Sequence, residues 1–235
     1  MMTVLELKNI EKTYGDKIKT KVLHNINLKI NKGEFVAIIG QSGSGKSTML
    51  NLMGTLDSPS SGEIYINNQR TDDLSKNKLA DVRNKDLGFI FQFHYLLPEF
   101  TVLENVLMPY LISGKKVNKE IKDRANELLD IVGLSKVKNN LSTDLSGGQQ
   151  QRAAIARALI NNPKIILADE PTGNLDSNTT NEVYNLLRDI NEKYDTTFII
   201  ITHDNKIAQK ADRVIEVSDG KIQSDTISYK IKLSS

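Results

Sequence analysis

Four short apolar runs predict the central strands of the protein. The runs are continuous rather than alternating and are rich in β-branched and aromatic residues, which is typical of strands buried on both faces of a sheet. They are Phe35–Ile39, Leu87–Phe91, Ile165–Ala168 and Phe198–Ile201. Because helix-period segments lie between them, the pattern predicts an α/β fold with a mostly parallel sheet.

Alternating segments near the two ends of the chain predict antiparallel strands. Two strand-like stretches lie between Val4 and Ile30, and in the second Ile26 and Leu28 alternate with polar residues. This period of two predicts half-buried strands in an N-terminal antiparallel sheet. Near the other end, Asp219-Gly220 between two strand-like segments predicts a two-residue hairpin.

Helical periodicity interrupts the strands from about residue 98 to residue 160. Thr101 and Glu104 form a capping-box pattern at the start of one helix, and Gly133 is a stop signal for the next. The apolar stripe of that second helix consists of Ile121, Ala125, Leu128, Leu129 and Val132. We therefore predict a single domain, residues 1–235, with a helical subdomain inserted into its α/β core.

Composition restricts the functional classes that need to be considered. The chain has 235 residues, 39% hydrophobic and 26% charged, as in globular proteins. No apolar run approaches the roughly 18 residues that cross a bilayer, and the N-terminus lacks a secretory signal, so we expect a cytoplasmic protein. The absence of cysteine excludes disulfides and thiolate chemistry. A net charge of +2 from scattered lysines gives no indication of nucleic-acid binding.

The segment after the first central strand fits the phosphate-binding pattern G-x-x-x-x-G-K-[ST]. Its residues are Gly40, Gln41, Ser42, Gly43, Ser44, Gly45, Lys46 and Ser47, and a helix is predicted behind it by Met49, Leu52, Met53 and Leu56. Glycines let backbone N–H groups converge, and the helix N-terminus adds partial positive charge. We predict a polyphosphate site in which Lys46 neutralises phosphate oxygens and the Ser47 hydroxyl ligates Mg²⁺.

Polar residues follow the other central strands: Gln92, Asp169 with Glu170, and His203. Ligands of parallel sheets bind beyond the carboxyl ends of the strands, so these residues and Gly40 predict one nucleotide site. Asp169 fits a Mg²⁺ ligand, and Gln92 fits a bridge between the metal and the attacking water. Glu170 fits the base for that water, and His203 fits a donor to the γ-phosphate.

A local explanation exists for each of these four residues taken alone. Asp169 could cap a helix, and Glu170 could form a surface ion pair. Gln92 could be inert, and His203 could be satisfied by its neighbours. Their common placement at strand ends favours the functional interpretation.

The most specific motif is Leu145-Ser146-Gly147-Gly148-Gln149. Ser146 is predicted to cap a helix that opens with glycines, so that bare N–H groups could bind an anion. These residues resemble the signature of ATP-binding-cassette (ABC) proteins. The resemblance covers nearly the whole chain and implies the ABC ATPase fold.

The resemblance also implies ATP and Mg²⁺ as ligands. The residues implied to bind ATP are Tyr14, Gly40, Gln41, Ser42, Gly43, Ser44, Gly45, Lys46, Ser47, Thr48, Ser146, Gly147, Gly148, Gln149 and Asp176. Those implied to hold the metal are Ser47, Gln92 and Asp169. Those implied to be catalytic are Lys46, Gln92, Glu170 and His203.

A finer resemblance is to the cassette group that serves lipoprotein release, macrolide and antimicrobial-peptide export and a related cell-division pair. It is carried by Tyr95-Leu96-Leu97-Pro98, Thr101–Val106 and Asp169–Asp176. Gln41 stands where many members have proline, and Phe93-His94 replaces a polar-aromatic pair. Neither change touches a phosphate or metal ligand. The tail, residues 225–235, carries no recognisable motif.

The function that the resemblance implies is that of a transporter motor. Two copies would dimerise head to tail around ATP and drive a separately encoded membrane permease for export or extraction of a lipophilic or peptide cargo. The protein would then be peripheral on the inner face of the cell membrane, which it would reach only through the permease. The alternative is a non-transport ABC ATPase acting on nucleic acid or ribosomes, a class that by resemblance carries long insertions or two fused cassettes. A P-loop kinase or GTPase is disfavoured by the signature.

Overall fold

Two β-sheets form the framework of the computed structural model, which describes residues 2–228. The strands are β1 (Thr3–Tyr14), β2 (Thr20–Asn31), β3 (Phe35–Ile39), β4 (Ser61–Ile66), β5 (Gln69–Arg70), β6 (Leu87–Phe91), β7 (Ile165–Asp169), β8 (Thr197–Ile201), β9 (Arg213–Ser218) and β10 (Lys221–Ile227). The helices are α1 (Lys46–Met53), α2 (Lys76–Asp86), α3 (Val102–Ile112), α4 (Lys119–Ile131), α5 (Gly147–Leu159), α6 (Ser177–Tyr194) and α7 (Asn205–Ala208). Residues 229–235 of the predicted tail lie outside the described residues.

The larger sheet has the strand order β10-β9-β3-β8-β7-β6. All of its pairs are parallel except β9 with the edge strand β10, which are joined through the predicted Asp219-Gly220 hairpin. The smaller sheet, in the order β2-β1-β4-β5, is antiparallel throughout. The predicted α/β fold, with its mostly parallel sheet and its N-terminal antiparallel sheet, is therefore confirmed.

Both faces of the strands β3, β7 and β8 are buried, which explains why these strands are continuous apolar runs. Phe35 and Phe198 stack, with ring centroids 5.4 Å apart, in the core beneath the helices α3 to α6. Val36 and Ile38 point to the opposite face, where they share a second core with α1 and the smaller sheet. Helix α1 therefore lies between the two sheets, with its N-terminus at the end of β3.

The structure corrects one predicted helix and adds another. Helix α1 ends at Met53, and Gly54 follows as its C-cap; Thr55 then adopts a left-handed conformation with φ 54°, so Leu56 lies outside the helix and is 49% exposed. Helix α2 was not predicted from the sequence. Only Val82 of its residues is buried, so it lacks the apolar stripe that reveals an amphipathic helix.

Between β6 and β7 the chain forms α3, α4 and α5 together with two short 3₁₀ turns. The predicted capping box of α3 is confirmed, with Thr101 accepting from Glu104 N while Glu104 binds back to Thr101 N. Helix α4 ends at Ile131, close to the predicted stop at Gly133. Within residues 2–228, no helix combines the length and the apolar character that a bilayer crossing requires.

Buried Asn105 fixes the loop that leads into α3. Its side-chain amide donates to the carbonyl oxygens of Leu97, Phe100 and Thr101 at 3.0 to 3.2 Å. Its Oδ1 accepts from Leu97 N at 2.7 Å. One side chain therefore satisfies four backbone groups, which explains why a polar residue is 1% exposed here.

We expect Asn105→Ala to lower the free energy of unfolding by about 1–3 kcal/mol, because it removes four hydrogen bonds of a buried side chain and takes from Leu97 N–H its Asn105 partner. Urea unfolding followed by circular dichroism measures the change. Asn126→Ala on α4 is the matched control; this asparagine also has two amide hydrogen bonds, to Lys122 O and from Lys138 Nζ. We expect the control variant to lower the free energy of unfolding by less than about 1 kcal/mol. Equal losses for the two variants would contradict the role assigned to Asn105.

Candidate functional site

A cavity of about 410 Å³ opens at the carboxyl edge of the larger sheet, in front of α1. Its lining residues are Val22, Gly40, Ser42, Gly43, Gly45, Lys46, Ser47, Thr48, Asp169, Glu170, Ile201 and His203. The strand register explains the grouping, since Ile201 at the end of β8 pairs with Ile38 of β3 on one side and Asp169 of β7 on the other. Most of the sequence-predicted site residues are therefore brought together, while Val22 and Ile201 were not predicted.

The phosphate loop keeps its shape because glycine is required at two of its positions. A Cβ atom on Gly40 would lie 2.1 Å from Val217 O and 2.8 Å from Ser44 Oγ. Gly45 is the N-cap of α1 in a left-handed conformation, with φ 104° and no side-chain cap. The first N–H groups of α1 are therefore not bonded by a capping side chain and can bind an anion.

Lys46 is held at the mouth of this loop. Its Nζ donates to Gly40 O and to Gln41 O, both at 2.8 Å. In the described part of the chain, the hydrogen bonds of this ammonium group are to backbone carbonyl oxygens and not to a carboxylate. It is therefore placed to pair with phosphate oxygens in the cavity.

Asp169, Glu170 and His203 form the opposite side of the cavity. Burial and the neighbouring charge of Glu170 raise the pKa of the Asp169 carboxyl, while Lys46 lowers it. His203 Nδ1 lies 2.7 Å from Glu170 Oε1. Glu170 has a left-handed backbone with φ 46°, an uncommon conformation for this residue type, and its N–H donates to Ile201 O at 2.9 Å. The backbone bond to Ile201 O and the side-chain contact with His203 therefore both fix the position of Glu170.

The Glu170–His203 pair separates the cavity from a second groove of about 470 Å³. That groove is lined by residues of the segment that connects β7 to α6, among them Thr172, Gly173 and Leu175. Groups held in the groove would therefore contact the pair from the side opposite the phosphate loop.

The signature residues do not line the phosphate cavity. Ser146 caps α5 as predicted, in a reciprocal capping box with Gln149. A Cβ atom on Gly148 would come within 2.7 Å of Thr179 Cγ2 of α6, so this helix end packs closely on the start of α6. Asp176 caps α6 by accepting from Asn178 N and Thr179 N. Bonds to the Thr179 side chain and backbone lower the pKa of Asp176.

Comparison with known proteins identifies the family. The family model described as ABC transporter matches residues 23–173, more than half of the chain. The chain belongs to the ABC transporter family. The match contains the phosphate loop, the signature motif and the end of β7.

Relatives of this cassette match nearly its whole length. The lipoprotein-releasing system ATP-binding protein LolD 1 of Rhodopseudomonas palustris is 49% identical over 224 residues, which cover 94% of this chain and 99% of the relative. LolD of Shewanella frigidimarina is 48% identical over 221 residues, with coverage of 94% and 92%.

Solved structures show the same fold. The dimeric ATP-binding cassette MJ0796 in a post-hydrolysis state with ADP and Pi superposes with a TM-score of 0.86 at 45% identity, covering 95% of this chain and 98% of that one. CbiO1 of Clostridium perfringens, part of the ABC transporter complex cbiONQ, has a TM-score of 0.87 at 30% identity, with coverage of 97% and 89%. The cassette is therefore an ATP-binding ATPase of an ABC transporter.

The donor set in the cavity suits Mg²⁺. Ser47 and Asp169 both line it, and Mg²⁺ is typically held by one or two protein oxygens together with water and phosphate. In the described part of the cassette, no group of three or more His, Asp or Glu residues could enclose a metal. A metal in this cavity would therefore depend on the nucleotide for most of its ligands.

The side chain of Gln92, the third predicted metal ligand, is hydrogen-bonded to Asn174 rather than lining the cavity. Its Nε2 donates to Asn174 Oδ1 at 3.1 Å, and Asn174 Nδ2 donates to Gln92 O at 3.3 Å. Gln92 does not line the phosphate cavity. The bond to Asn174 uses Nε2, whereas Oε1 is the atom that would bind a metal.

Tyr14, the predicted adenine-stacking residue, is the last residue of β1 and also lies outside the cavity lining. It is 41% exposed, and its hydroxyl donates to Asp57 Oδ2 at 2.7 Å. Lys12 Nζ lies 4.7 Å from its ring centroid. The sequence reasoning missed both partners. Lys12 lies two positions before Tyr14 in the same strand, so the strand period could have identified it as a neighbour. Asp57 is 43 residues away in the sequence, and no local pattern indicates that contact.

We expect Lys46→Ala to weaken ATP binding by about tenfold to a hundredfold, because it removes a charge-assisted contact with the phosphates. Isothermal titration with ATP measures the affinity. Lys78→Ala, at an exposed position of α2, removes an equal charge away from the cavity and is the control. An affinity of Lys46→Ala within a few-fold of wild type would show that the phosphates bind elsewhere.

Proposed function

We propose that the cassette is the motor subunit of a transporter that extracts or exports lipoproteins or a similar lipophilic or peptide cargo. The observation that supports this most is the 48–49% identity, over nearly full length, to two ATP-binding proteins named for lipoprotein release. The cassette would power a separately encoded permease that recognises the cargo. It would lie in the cytoplasm, peripheral on the inner face of the membrane, and contact the membrane only through the permease.

The chemistry within one cassette follows from the residues around the cavity. The N–H groups of the phosphate loop and the ammonium of Lys46 bind and orient the phosphates. Glu170 accepts the proton of the attacking water, and His203, 2.7 Å from Glu170 Oε1, holds that carboxylate and donates toward the γ-phosphate. When bound by Ser47 and Asp169, Mg²⁺ would neutralise charge that develops on the phosphates.

Completion of the site requires a second copy of the chain. The signature, Ser146–Gln149, presents a glycine-rich helix start but lies outside the cavity of its own chain. In a head-to-tail dimer, it would supply those N–H groups to ATP held by Gly40–Thr48 of the other copy, with Asp176 at the interface. The groove beyond Glu170 and His203 leaves room for partner residues to approach the pair. The dimeric state of MJ0796 supports this arrangement.

Glu170→Gln keeps the shape of the side chain but removes the base. We expect this variant to bind ATP, to turn it over far more slowly than wild type and to accumulate as an ATP-bound dimer. Size-exclusion chromatography with light scattering, run with and without ATP, measures the mass, and phosphate release measures turnover. Glu120→Gln, an exposed change in the first turn of α4, is the control. A Glu170→Gln protein that stays monomeric in saturating ATP would contradict the dimeric site, and wild-type turnover would exclude Glu170 as the base.

The segment from Phe91 to Asn105 is the proposed permease contact. Phe93 and Tyr95 are 62% and 64% exposed, and Arg157 of α5 holds their loop by donating to His94 O and Tyr95 O at 2.7 and 2.6 Å. An apolar groove of about 450 Å³ adjoins the segment. Its apolar lining residues include Leu56, Leu87, Phe89, Phe91, Pro109 and Ile112. Exposed aromatic rings beside an apolar groove suit a helix of a membrane protein.

We expect photo-crosslinkers at Phe93 or Tyr95, in the cassette bound to native membranes, to capture an integral membrane protein. Mass spectrometry identifies the captured protein, and a crosslinker at Asp219 in the β9–β10 turn is the control. Liposomes that contain this permease and the cassette should release an inserted lipoprotein only when ATP is hydrolysed. Crosslinks confined to the control position would contradict the contact, and recovery of ribosomes or DNA without an integral protein would contradict the transporter assignment.

A further inference from the structure

The ring of Tyr14 is held by two side chains that no motif explains. Lys12 Nζ donates to Asp57 Oδ1 and to Ser58 O, both at 2.7 Å, and lies over the Tyr14 ring. The Tyr14 hydroxyl donates to the other oxygen of the same carboxylate, at 2.7 Å. Ser58 N also donates to Asp57 Oδ1 at 2.7 Å. One carboxylate therefore anchors both the ring and the cation that covers it.

The burial of Lys12 distinguishes this cluster from an ordinary surface ion pair. Lys12 is only 9% exposed, and lysine is seldom buried without a partner. Burial raises the pKa of Asp57, but the hydrogen bonds from Lys12, Tyr14 and Ser58 N lower it further than burial raises it. Burial and the bond to Asp57 raise the pKa of Tyr14.

The cluster also connects the ring to the helix of the phosphate loop. Asp57 lies four residues beyond the end of α1, and the N–H groups of Leu56 and Asp57 donate to Asn51 O at 2.8 and 3.3 Å. Lys46 is the first residue of α1, and Tyr14 is connected to the other end of α1 through Asp57. A fixed distance between a ring and a phosphate site is what recognition of a whole nucleotide requires.

We propose that Lys12 and Asp57 are positioning residues for the nucleotide base. They hold the Tyr14 ring so that the ammonium covers one face and the other face remains for stacking by the base, at a set distance from the phosphate loop. This inference rests on the proposed function, because it takes ATP as the ligand and Tyr14 as its stacking partner. Neither residue lines the phosphate cavity, so both act on ATP through Tyr14.

The test compares ATP with inorganic triphosphate, which has the same phosphates but no base. We expect Tyr14→Ala to weaken ATP binding by about fivefold to a hundredfold, the range for loss of base stacking, and to leave triphosphate binding unchanged. Lys12→Met, Asp57→Asn and Tyr14→Phe should each weaken ATP binding by several-fold, again without effect on triphosphate. Unchanged triphosphate binding also shows that each variant is folded.

A double-mutant cycle separates positioning from a general structural effect. In the Tyr14→Ala background, Lys12→Met and Asp57→Asn should cause no further loss of ATP binding. Lys8→Met is the matched control, because Lys8 is also in β1 and also lies over a tyrosine ring, 4.4 Å from the centroid of Tyr65. We expect this control to bind ATP like wild type.

The outcomes distinguish the inference from the function on which it rests. If Tyr14→Ala binds ATP as tightly as wild type, the base does not stack on this ring and the proposed ligand role of Tyr14 fails. If Tyr14→Ala weakens ATP binding but Lys12→Met and Asp57→Asn do not, stacking stands and positioning by the cluster is refuted. Positioning by the cluster is also refuted if Lys12→Met and Asp57→Asn weaken the binding of ATP and of triphosphate equally. It is refuted as well if these two changes weaken ATP binding as much in the Tyr14→Ala background as in wild type.

Discussion

Parallel pairing of β3, β8, β7 and β6 is the constraint on which the rest of the structure depends. Burial on both faces requires continuous apolar strands, and parallel alignment brings their carboxyl ends to one edge. In this register Asp169 pairs with Ile201, and Ile201 pairs with Ile38 next to the phosphate loop. The phosphate loop, the Asp169 carboxylate and the Glu170–His203 pair are therefore neighbours because of the strand register of the sheet.

Helix α5 contacts three parts of the cassette to which the proposed function assigns roles. Its N-terminus is the signature, which packs on the start of α6. In its middle, buried Gln151 donates to Pro171 O at 2.6 Å, directly after Glu170. Near its end, Arg157 binds the carbonyl groups of His94 and Tyr95 in the exposed aromatic segment. Because a helix is rigid over this length, we expect a displacement at the aromatic segment to be transmitted to the signature.

Hydrogen bonds between residues distant in sequence explain why two predicted site residues are found in unexpected surroundings. Gln92 is bonded to Asn174, 82 residues away, and Tyr14 to Asp57, 43 residues away. Gln92 directly follows β6, as predicted, and Tyr14 is the last residue of β1. Their side-chain directions follow from partners on other elements, which a motif does not specify.

The sequence by itself determined the local features: the central strands, the capping box at Thr101, the helix cap at Ser146, the phosphate loop and the signature. These features depend on periodicity and on interactions within a few residues, which a linear pattern records. Helix α2 and the end of α1 were not predicted correctly, because a polar helix lacks a stripe and Leu56 continues the apolar period after Gly54 has ended the helix. Only the tertiary structure decided which side chains meet. Partners such as Lys12 and Asp57 come together because the segment between α1 and β4 lies against β1, and no pattern along the chain encodes a contact between separate elements.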